Sequence, residues 1–526
     1  PLVEPSTGLP ADTVSDLRDS AERLLRMQSE LYWKNWVYGD DIDIGRTYLG
    51  TEKLVSLESI ERLKAAEKPL AEAPPVSPII RDLAMERRAL VYLRGFISGE
   101  FLSRELADIS DRIAVAEAGA MLSVSGKDIP LRQYPIMLSS ESQPARRASL
   151  EQAYNAAFAK LLPLYQERGE RTEAALQKIG QPNGLAFAAE LRATTPAALG
   201  ALAESLLGAT AATYRALLDN VANRELGMSA SQLRRRDVAR LFRNRGESRA
   251  FPADKLLADV GATFLGFTGD VFGKSSVLID AEPRPRKNAR TIAIEVEVPS
   301  DVRLSLLPAG GLEAYRSLLH EGGHVAHFAH VTTRVIEFKR LGPAATAESF
   351  AHLMEAVADD PAWLGIRLSG RDLGLQIQLG QARRLYLARR DAARVLFELA
   401  RTKDPAQARA QYAAIFARAY GHPVDDAEAA RWPAERDDLL ESADALAAEM
   451  LAGQMEYFLG KRDAQSPWWR VPANGEWLRA VWARGTGITP EEISKKMGFP
   501  AFDATALAAS VQARLKAIDQ SSAATK

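Results

Sequence analysis

The chain carries the sequence LEAYRSLLHEGGHVAHFA at residues 312–329. Apolar residues recur there at helical spacing, so the segment predicts a helix. On that helix His320 and His324 lie one turn apart on the same face, where two imidazoles can bind one metal ion. Glu321 lies next to the first histidine and can reach a metal-bound water as a general base. The segment therefore predicts a metal site built on a helix.

The pattern at 320–324 also occurs by chance, with both histidines as ordinary surface or core groups. Two observations favour the metal site. Five of the six histidines lie between residues 319 and 353, and Gly322 and Gly323 lie inside the predicted helix. A glycine inside a helix costs about 1 kcal/mol relative to alanine. The two glycines therefore indicate that another group passes close to the helix backbone.

A catalytic zinc site usually has three protein ligands and an open position for water. Glu348 follows His324 by 24 residues, in a second helical pattern at 346–355. We expect Glu348 to be the third ligand. His352 and Glu355 lie on the same side of that helix, where they can hold the ligands in orientation. A buried ion pair or a surface charge is the alternative for both.

Most of the remaining sequence also has helical periodicity, and alanine, the best helix former, is abundant. The helices predicted from this periodicity are Asp12–Met27, Arg81–Ile97, Arg104–Ala118, Arg146–Ile179, Pro196–Ala222 and Gln381–Arg401. A proline-rich connector at 69–78 interrupts them. Before the metal helix, Thr291–Val298 predicts a strand and Val302–Leu307 a second one. The sequence therefore predicts a mainly α fold with a small β-element before the metal helix.

Composition limits the classes of function. The chain has 526 residues, 47% of them hydrophobic, and 67 Lys and Arg balance 68 Asp and Glu. This excludes disorder of the whole chain and argues against a protein that coats nucleic acid or anionic membrane. The basic stretch 234–245 could bind RNA or phosphate, but in a neutral chain a helix with solvated or paired arginines is favoured. We expect no nucleic-acid partner.

The chain has no cysteine, which excludes thiol catalysis, disulfides and cysteine-ligated metal sites. No apolar run reaches about 18 residues, so no transmembrane segment is expected. The first residue is Pro1 rather than Met, so a signal segment could have been removed before it. Cytoplasmic and exported locations both stay open.

These motifs resemble the thimet oligopeptidase and oligoendopeptidase family of zinc metallopeptidases (gluzincins) and, more distantly, angiotensin-converting enzyme. The resemblance is carried by His320-Glu321-x-Gly323-His324-x-x-His327, by Glu348 and Glu355 at the family's intervals, and more weakly by segments 286–307 and 478–507. It implies a neurolysin-like helical fold of two lobes with a deep central channel. It also implies one zinc ion per chain, and it adds His327 to the residues that can hold the ligands in orientation.

The same resemblance implies that residues 1–526 form a single two-lobed peptidase unit. Its N-terminal helical part would be 1–150, and its catalytic part would be 151–526, with the zinc site at 310–360. A monomer or a small homo-oligomer is expected.

The chain departs from the family at one place. The family has a histidine and several tyrosines about a hundred residues beyond the third ligand, where they bind substrate and stabilise the oxyanion. The matching segment, 439–452, contains neither residue type. Tyr420, His422 and Tyr457 lie nearby in sequence and are candidates to replace them, although each can equally be an ordinary packing or loop residue.

The favoured function is a zinc-dependent peptidase that hydrolyses oligopeptides. The alternative is a peptidase-like protein that binds peptides with weak or no catalytic activity, which the missing oxyanion residues motivate. A purely structural metal site is a third possibility. It gives Glu321 no reason to lie between the two histidines.

Overall fold

The computed structural model describes residues 13–40, 47–71, 80–243 and 249–523. Within these ranges the chain is mainly helical with five short strands, as predicted. The helices are α1 (Ser15–Tyr38), α2 (Leu57–Ala71), α3 (Ile80–Glu105), α4 (Ala107–Gly119), α5 (Tyr134–Ser140), α6 (Pro144–Phe158), α7 (Leu162–Lys178), α8 (Gly184–Leu191), α9 (Pro196–Leu226), α10 (Arg235–Leu241), α11 (Leu256–Leu265), α12 (Leu312–Phe328), α13 (Ile336–Arg340), α14 (Ala345–Glu355), α15 (Pro361–Leu364), α16 (Gly370–Lys403), α17 (Ala408–Tyr420), α18 (Asp426–Ala429), α19 (Glu441–Arg462), α20 (Pro472–Trp482), α21 (Pro490–Lys496) and α22 (Thr505–Ala523). The strands are β1 (Met121–Val124), β2 (Lys127–Pro130), β3 (Val277–Asp280), β4 (Ile292–Glu297) and β5 (Asp301–Ser305). None of the described helices has the length and apolar character needed to cross a bilayer.

The chain forms two compact units, each built from three segments. Unit 1 comprises Pro1–Arg104, Gly246–Arg367 and Ala447–Phe502. Unit 2 comprises Glu105–Arg245, Leu368–Leu446 and Asp503–Lys526. The division into residues 1–150 and 151–526, the two-lobed form and the central channel stay predictions.

The β-element of unit 1 is a three-stranded sheet in the order β3-β5-β4. β4 pairs antiparallel with β5, with Ala293 opposite Leu304, and β3 pairs parallel with β5. The two predicted strands are confirmed. β3 was not predicted, because a segment of four residues is too short to show an alternating pattern. β4 is an edge strand of this sheet, and the edge position matters for the site described below.

Helix α1 packs on this sheet. Trp33 and Val37 bury their side chains against Ile294 and Val296 of β4. The predicted helix ended at Met27, but the observed helix continues to Tyr38 because its last turns still bury apolar residues on the sheet. The start predicted at Asp12 lies outside the described residues.

One predicted helix, Arg146–Ile179, is two helices, α6 and α7. The break precedes Pro163, which lies in the first turn of α7. Proline lacks an amide hydrogen and clashes with the preceding turn, so it is tolerated at the start of a helix and not in its interior. The long amphipathic pattern hid this break.

The basic stretch lies in unit 2, and its described arginines are paired. Arg147 and Asp237 form a buried ion pair of 2.7 Å. Arg236 pairs with Glu151, and Arg235 lies 2.7 Å from Glu435. These contacts confirm that the arginines stabilise α10 and its neighbours. Arg245 lies outside the described residues.

The two helices of the metal motif, α12 and α14, touch backbone to backbone at Gly323. A Cβ atom on Gly323 would lie 2.7 Å from the Cα atom of Ala351 and 2.8 Å from the carbonyl oxygen of Phe350. A Cβ on Gly322 would lie 2.7 Å from the ring of Phe264. The close approach inferred from the two glycines is therefore confirmed.

We expect Gly323→Ala to destabilise the protein, because the added methyl group has only backbone to displace. Overpacking of this kind costs about 1–3 kcal/mol. The matched control is Gly99→Ala, in helix α3 of the same unit, where no atom lies within 4 Å of the added Cβ. That change should stabilise the helix by about 0.5–1 kcal/mol. Urea unfolding of both variants measures the difference, and equal stability would contradict the close contact.

Candidate metal centre

The three predicted metal ligands come together in unit 1. His320 and His324 project from α12 and Glu348 from the first turn of α14, so that one nitrogen or oxygen of each lies within 4.8 Å of the others. His320 Nε2 lies 3.8 Å from Glu348 Oε2, and His324 Nε2 lies 3.7 Å from Glu348 Oε1. The i, i+4 spacing aligns the two imidazoles, and the contact at Gly323 brings Glu348 within reach of both.

These three groups fit a zinc ion. In a tetrahedral site with bonds of ~2.0–2.2 Å, ligand atoms lie about 3.3–3.6 Å apart, close to the distances observed between the carboxylate and the two imidazoles. Two histidines and one glutamate are also the donor set of a known class of catalytic zinc sites. Among the described residues, no other cluster of three such groups has this geometry.

The protonation of the two histidines suits this role. Glu355 Oε2 lies 3.0 Å from His320 Nδ1, so that Nδ1 donates the hydrogen bond and Nε2 faces Glu348. Burial lowers the pKa of His320, but the hydrogen bond and charge of Glu355 outweigh it and raise the pKa. Burial lowers the pKa of His324 far below its usual value, which favours the neutral, ligating form.

Glu321 lies between the metal helix and the edge strand. Its Oε2 accepts a hydrogen bond of 2.8 Å from the backbone N–H of Ala293 in β4. Burial raises the pKa of Glu321 to about 7, although the charge of His320 and the bond from Ala293 lower it. A carboxylate held in this way, next to three potential metal ligands, can exchange a proton with a group at the metal.

Comparisons with known proteins add the fold. No family model and no curated protein matches the chain. Among solved structures, it is similar to PZ peptidase A solved with an inhibitor, with a TM-score of 0.66, 12% identity and coverage of 94% of this chain and 90% of the other. It is also similar to a protein assigned as an oligoendopeptidase F from Bacillus anthracis str. Ames, with a TM-score of 0.63, 14% identity and the same coverage of 94% and 90%. The chain has an oligoendopeptidase-like fold. The resemblance inferred from the motifs is thereby confirmed at the level of fold.

In this oligoendopeptidase-like chain, Glu449 is a residue that the sequence did not single out. His352 Nδ1 lies 2.7 Å from Glu449 Oε2, and His352 Nε2 lies 4.0 Å from Glu348 Oε2. Burial lowers the pKa of His352, but the bond and charge of Glu449 raise it to about 9. Glu449 belongs to segment 439–452, in which the sequence analysis looked only for histidine and tyrosine. The segment therefore contributes a carboxylate to the surroundings of the metal ligands.

His327 lies away from this network. It is fully buried between the rings of Phe328 and Phe350, and neither of its ring nitrogens bonds to a described group. Burial lowers its pKa to about 3. The structure thus brings Glu355 and His352 into hydrogen-bonded or ionic contact with the metal-ligand group, and it does not do so for His327.

The three oxyanion candidates have other partners. Tyr457 is 39% exposed in unit 1, where its ring contacts Phe499 and Lys461. Tyr420 and His422 are buried in unit 2, where their rings stack on each other and on Tyr386. Their oxyanion role stays a prediction.

A different tyrosine, Tyr32 of α1, lies near Glu321. Burial raises the pKa of Tyr32, the charge of Arg290 lowers it, and the charge of Glu321 raises it. The phenol is therefore within electrostatic reach of the Glu321 carboxylate. No sequence signal indicates Tyr32, because 289 residues separate it from Glu321 and its helix has an ordinary amphipathic pattern.

His422 provides a test of the buried histidines. Burial lowers its pKa to about 4, whereas the unfolded value is about 6.5. As the pH falls through this range, the unfolded chain takes up the proton first, so stability is present above about pH 6.5 and is lost towards pH 4. Between pH 7 and pH 5 the wild type should lose about 2 kcal/mol more stability than His422→Phe, which keeps a ring but cannot titrate. Urea unfolding at both pH values measures this, and parallel losses would contradict a neutral buried His422.

Proposed function

We propose that this protein is a zinc-dependent peptidase that hydrolyses oligopeptides. The observation that carries the proposal is the convergence of His320, His324 and Glu348 beside the carboxylate of Glu321, in a chain with an oligoendopeptidase-like fold. A structural metal site needs no free carboxylate between its histidines. The position of Glu321 therefore favours catalysis.

The residues divide into those that hold the metal and those that act on substrate. His320, His324 and Glu348 would hold the ion, with Glu355 orienting His320 through the Nδ1 bond of 3.0 Å. When bound, zinc supplies a Lewis acid for the scissile carbonyl and lowers the pKa of a water molecule. Glu321 would take the proton of the attacking water at a carboxylate oxygen and pass it to the leaving amine.

The edge strand would position the substrate. In an antiparallel pair, alternate residues direct their backbone groups away from the partner strand, and Ala293 does so towards Glu321. An extended peptide can pair with such an edge through its backbone. The binding would then depend weakly on side chains, except where a cavity receives one.

A protein that binds peptides with weak or no hydrolysis is the second candidate. The observation in its favour is segment 439–452, which supplies Glu449 rather than a hydroxyl or imidazole for the oxyanion. Loss of one oxyanion donor costs about 10²–10³ in turnover. Tyr32 is the hydroxyl nearest to Glu321 that the electrostatics indicate, and it would be the donor in the peptidase.

We expect the purified protein to bind about one zinc ion per chain. His320→Ala or His324→Ala should abolish this binding and Glu348→Ala should weaken it, because each removes one of three ligands. His422→Phe, which removes a histidine of unit 2, should leave it unchanged. Elemental analysis with equilibrium zinc titration measures both. Full zinc occupancy of His324→Ala would contradict the site.

Glu321→Gln should keep the metal, because Glu321 is not a ligand, and should lower kcat by about 10²–10⁴-fold, because an amide cannot accept the proton. The matched control is Glu313→Gln, the same change on an exposed position of α12, which should cleave like the wild type. Cleavage of a mixed peptide library, read by mass spectrometry, separates the candidates. If wild type and Glu321→Gln both retain peptides and neither cleaves them, the protein is a binder.

A further inference from the structure

A cavity of about 390 Å³ lies beside the edge strand in unit 1. Helix α1 contributes Tyr32, helix α3 contributes Glu100, and β4 contributes Ala293 and Glu295 to its wall. Its volume falls within the range of side-chain and small-ligand pockets, about 300–1,000 Å³. The mechanism proposed above uses none of its space.

The cavity borders the proposed reacting centre. Ala293, which lines it, donates its backbone N–H to Glu321 Oε2 at 2.8 Å. Tyr32, on the opposite wall, interacts electrostatically with the same carboxylate. A peptide paired along β4 would therefore pass the cavity immediately next to the bond to be cleaved, and side chains of an extended peptide alternate in direction, so that one of them would face it.

The charge of the cavity is negative. Two of its three charged residues compensate each other, since Arg340 lies 3.4 Å from Glu295 and also donates to Ser29. Glu100 accepts hydrogen bonds from Gln28 at 2.7 Å and from Tyr48 at 2.9 Å.

Both donors to Glu100 are neutral and both bind the same oxygen, Oε2. They hold the carboxylate in place without cancelling its charge. Burial and the charge of Glu100 raise the pKa of Tyr48, so its hydroxyl stays protonated as a donor. Among the described residues, no cation forms an ion pair with Glu100. A half-buried carboxylate in this state attracts a positive group that enters the cavity.

We infer that this cavity is a substrate subsite for a cationic side chain, lysine or arginine, with Glu100 as its anionic partner. The inference rests on the proposed function and names the class of peptide that the same site prefers. Gln28 and Tyr48 act as positioning residues, because they reach the substrate only through the Glu100 carboxylate. The alternative is that the three side chains merely tie α1 and the segment around Tyr48 to α3. In that case the substrate's charge would have no effect.

The test uses a set of neutral peptides in which lysine replaces glutamine at each position in turn. For the zinc-loaded wild type we expect one position at which lysine raises kcat/KM about tenfold, as expected for hydrogen bonds to a charged group. Glu100→Gln keeps an acceptor for Gln28 and Tyr48 but removes the charge, so the ratio of lysine to glutamine peptide should fall to about one. The control Glu30→Gln removes a carboxylate of α1 that pairs with Arg303 outside the cavity, and it should keep the tenfold ratio.

Salt provides a second measurement that needs no variant. The wild-type preference for lysine should shrink when the ionic strength rises from about 0.05 M to about 0.5 M, since the pairing is electrostatic. A wild type that cleaves both peptide series equally, or a preference that survives Glu100→Gln, overturns the subsite while the peptidase stands. If the wild type cleaves no peptide, the proposed function fails. Fluorescence anisotropy with the same peptides then decides the subsite, which is overturned if lysine and glutamine peptides bind equally well.

Discussion

The close contact of α12 and α14 at Gly323 is the constraint on which the site depends. Without a side chain at this position, the backbone of Ala351 approaches the metal helix to within the distance that a Cβ would occupy. Glu348 lies one turn before Ala351, so the same contact brings its carboxylate to 3.7–3.8 Å from both imidazoles. The helix interior tolerates the glycine, which costs about 1 kcal/mol, because a larger residue would separate the ligands.

The second determinant is the edge strand β4. α1 buries Trp33 and Val37 on one part of the strand, and Glu321 accepts the N–H of Ala293. The strand therefore aligns three things in a row: the proposed general base, a backbone edge for an extended peptide, and a negatively charged cavity. A peptidase that binds its substrate mainly through the backbone acquires side-chain preference only through such a cavity, and here the charge of Glu100 would set that preference.

The surroundings of the metal ligands differ from what the family resemblance implies. Segment 439–452 contributes Glu449, whose partner is His352 on the same helix as Glu348. A buried carboxylate and a histidine stabilise each other's charged forms, and together they place positive charge 4.0 Å from Glu348. The phenol near Glu321 comes from α1 instead. If the protein is a peptidase, its oxyanion donor has moved to a different part of the chain.

The sequence by itself determined the parts of this protein that depend on local geometry. The helical period aligns His320 with His324 and places Glu321 beside them, and two glycines in a helix indicate a close neighbour. The helical class and two of the three strands of the unit 1 sheet follow from short-range patterns. Glu348 was found from its interval and its own helix, although nothing local required it to reach the histidines.

Only the tertiary structure decided which distant groups complete the site. Tyr32, Glu100, Ala293 and Glu449 lie between 28 and 289 residues from Glu321, and their patterns are those of ordinary helices and strands. Periodicity records which side of its own element a residue faces, and it carries no information about which other element packs there. Burial, ion pairing and pKa shifts depend on that packing, so His327 and His352, three residues and 28 residues from His324, have opposite environments that their spacing could not distinguish.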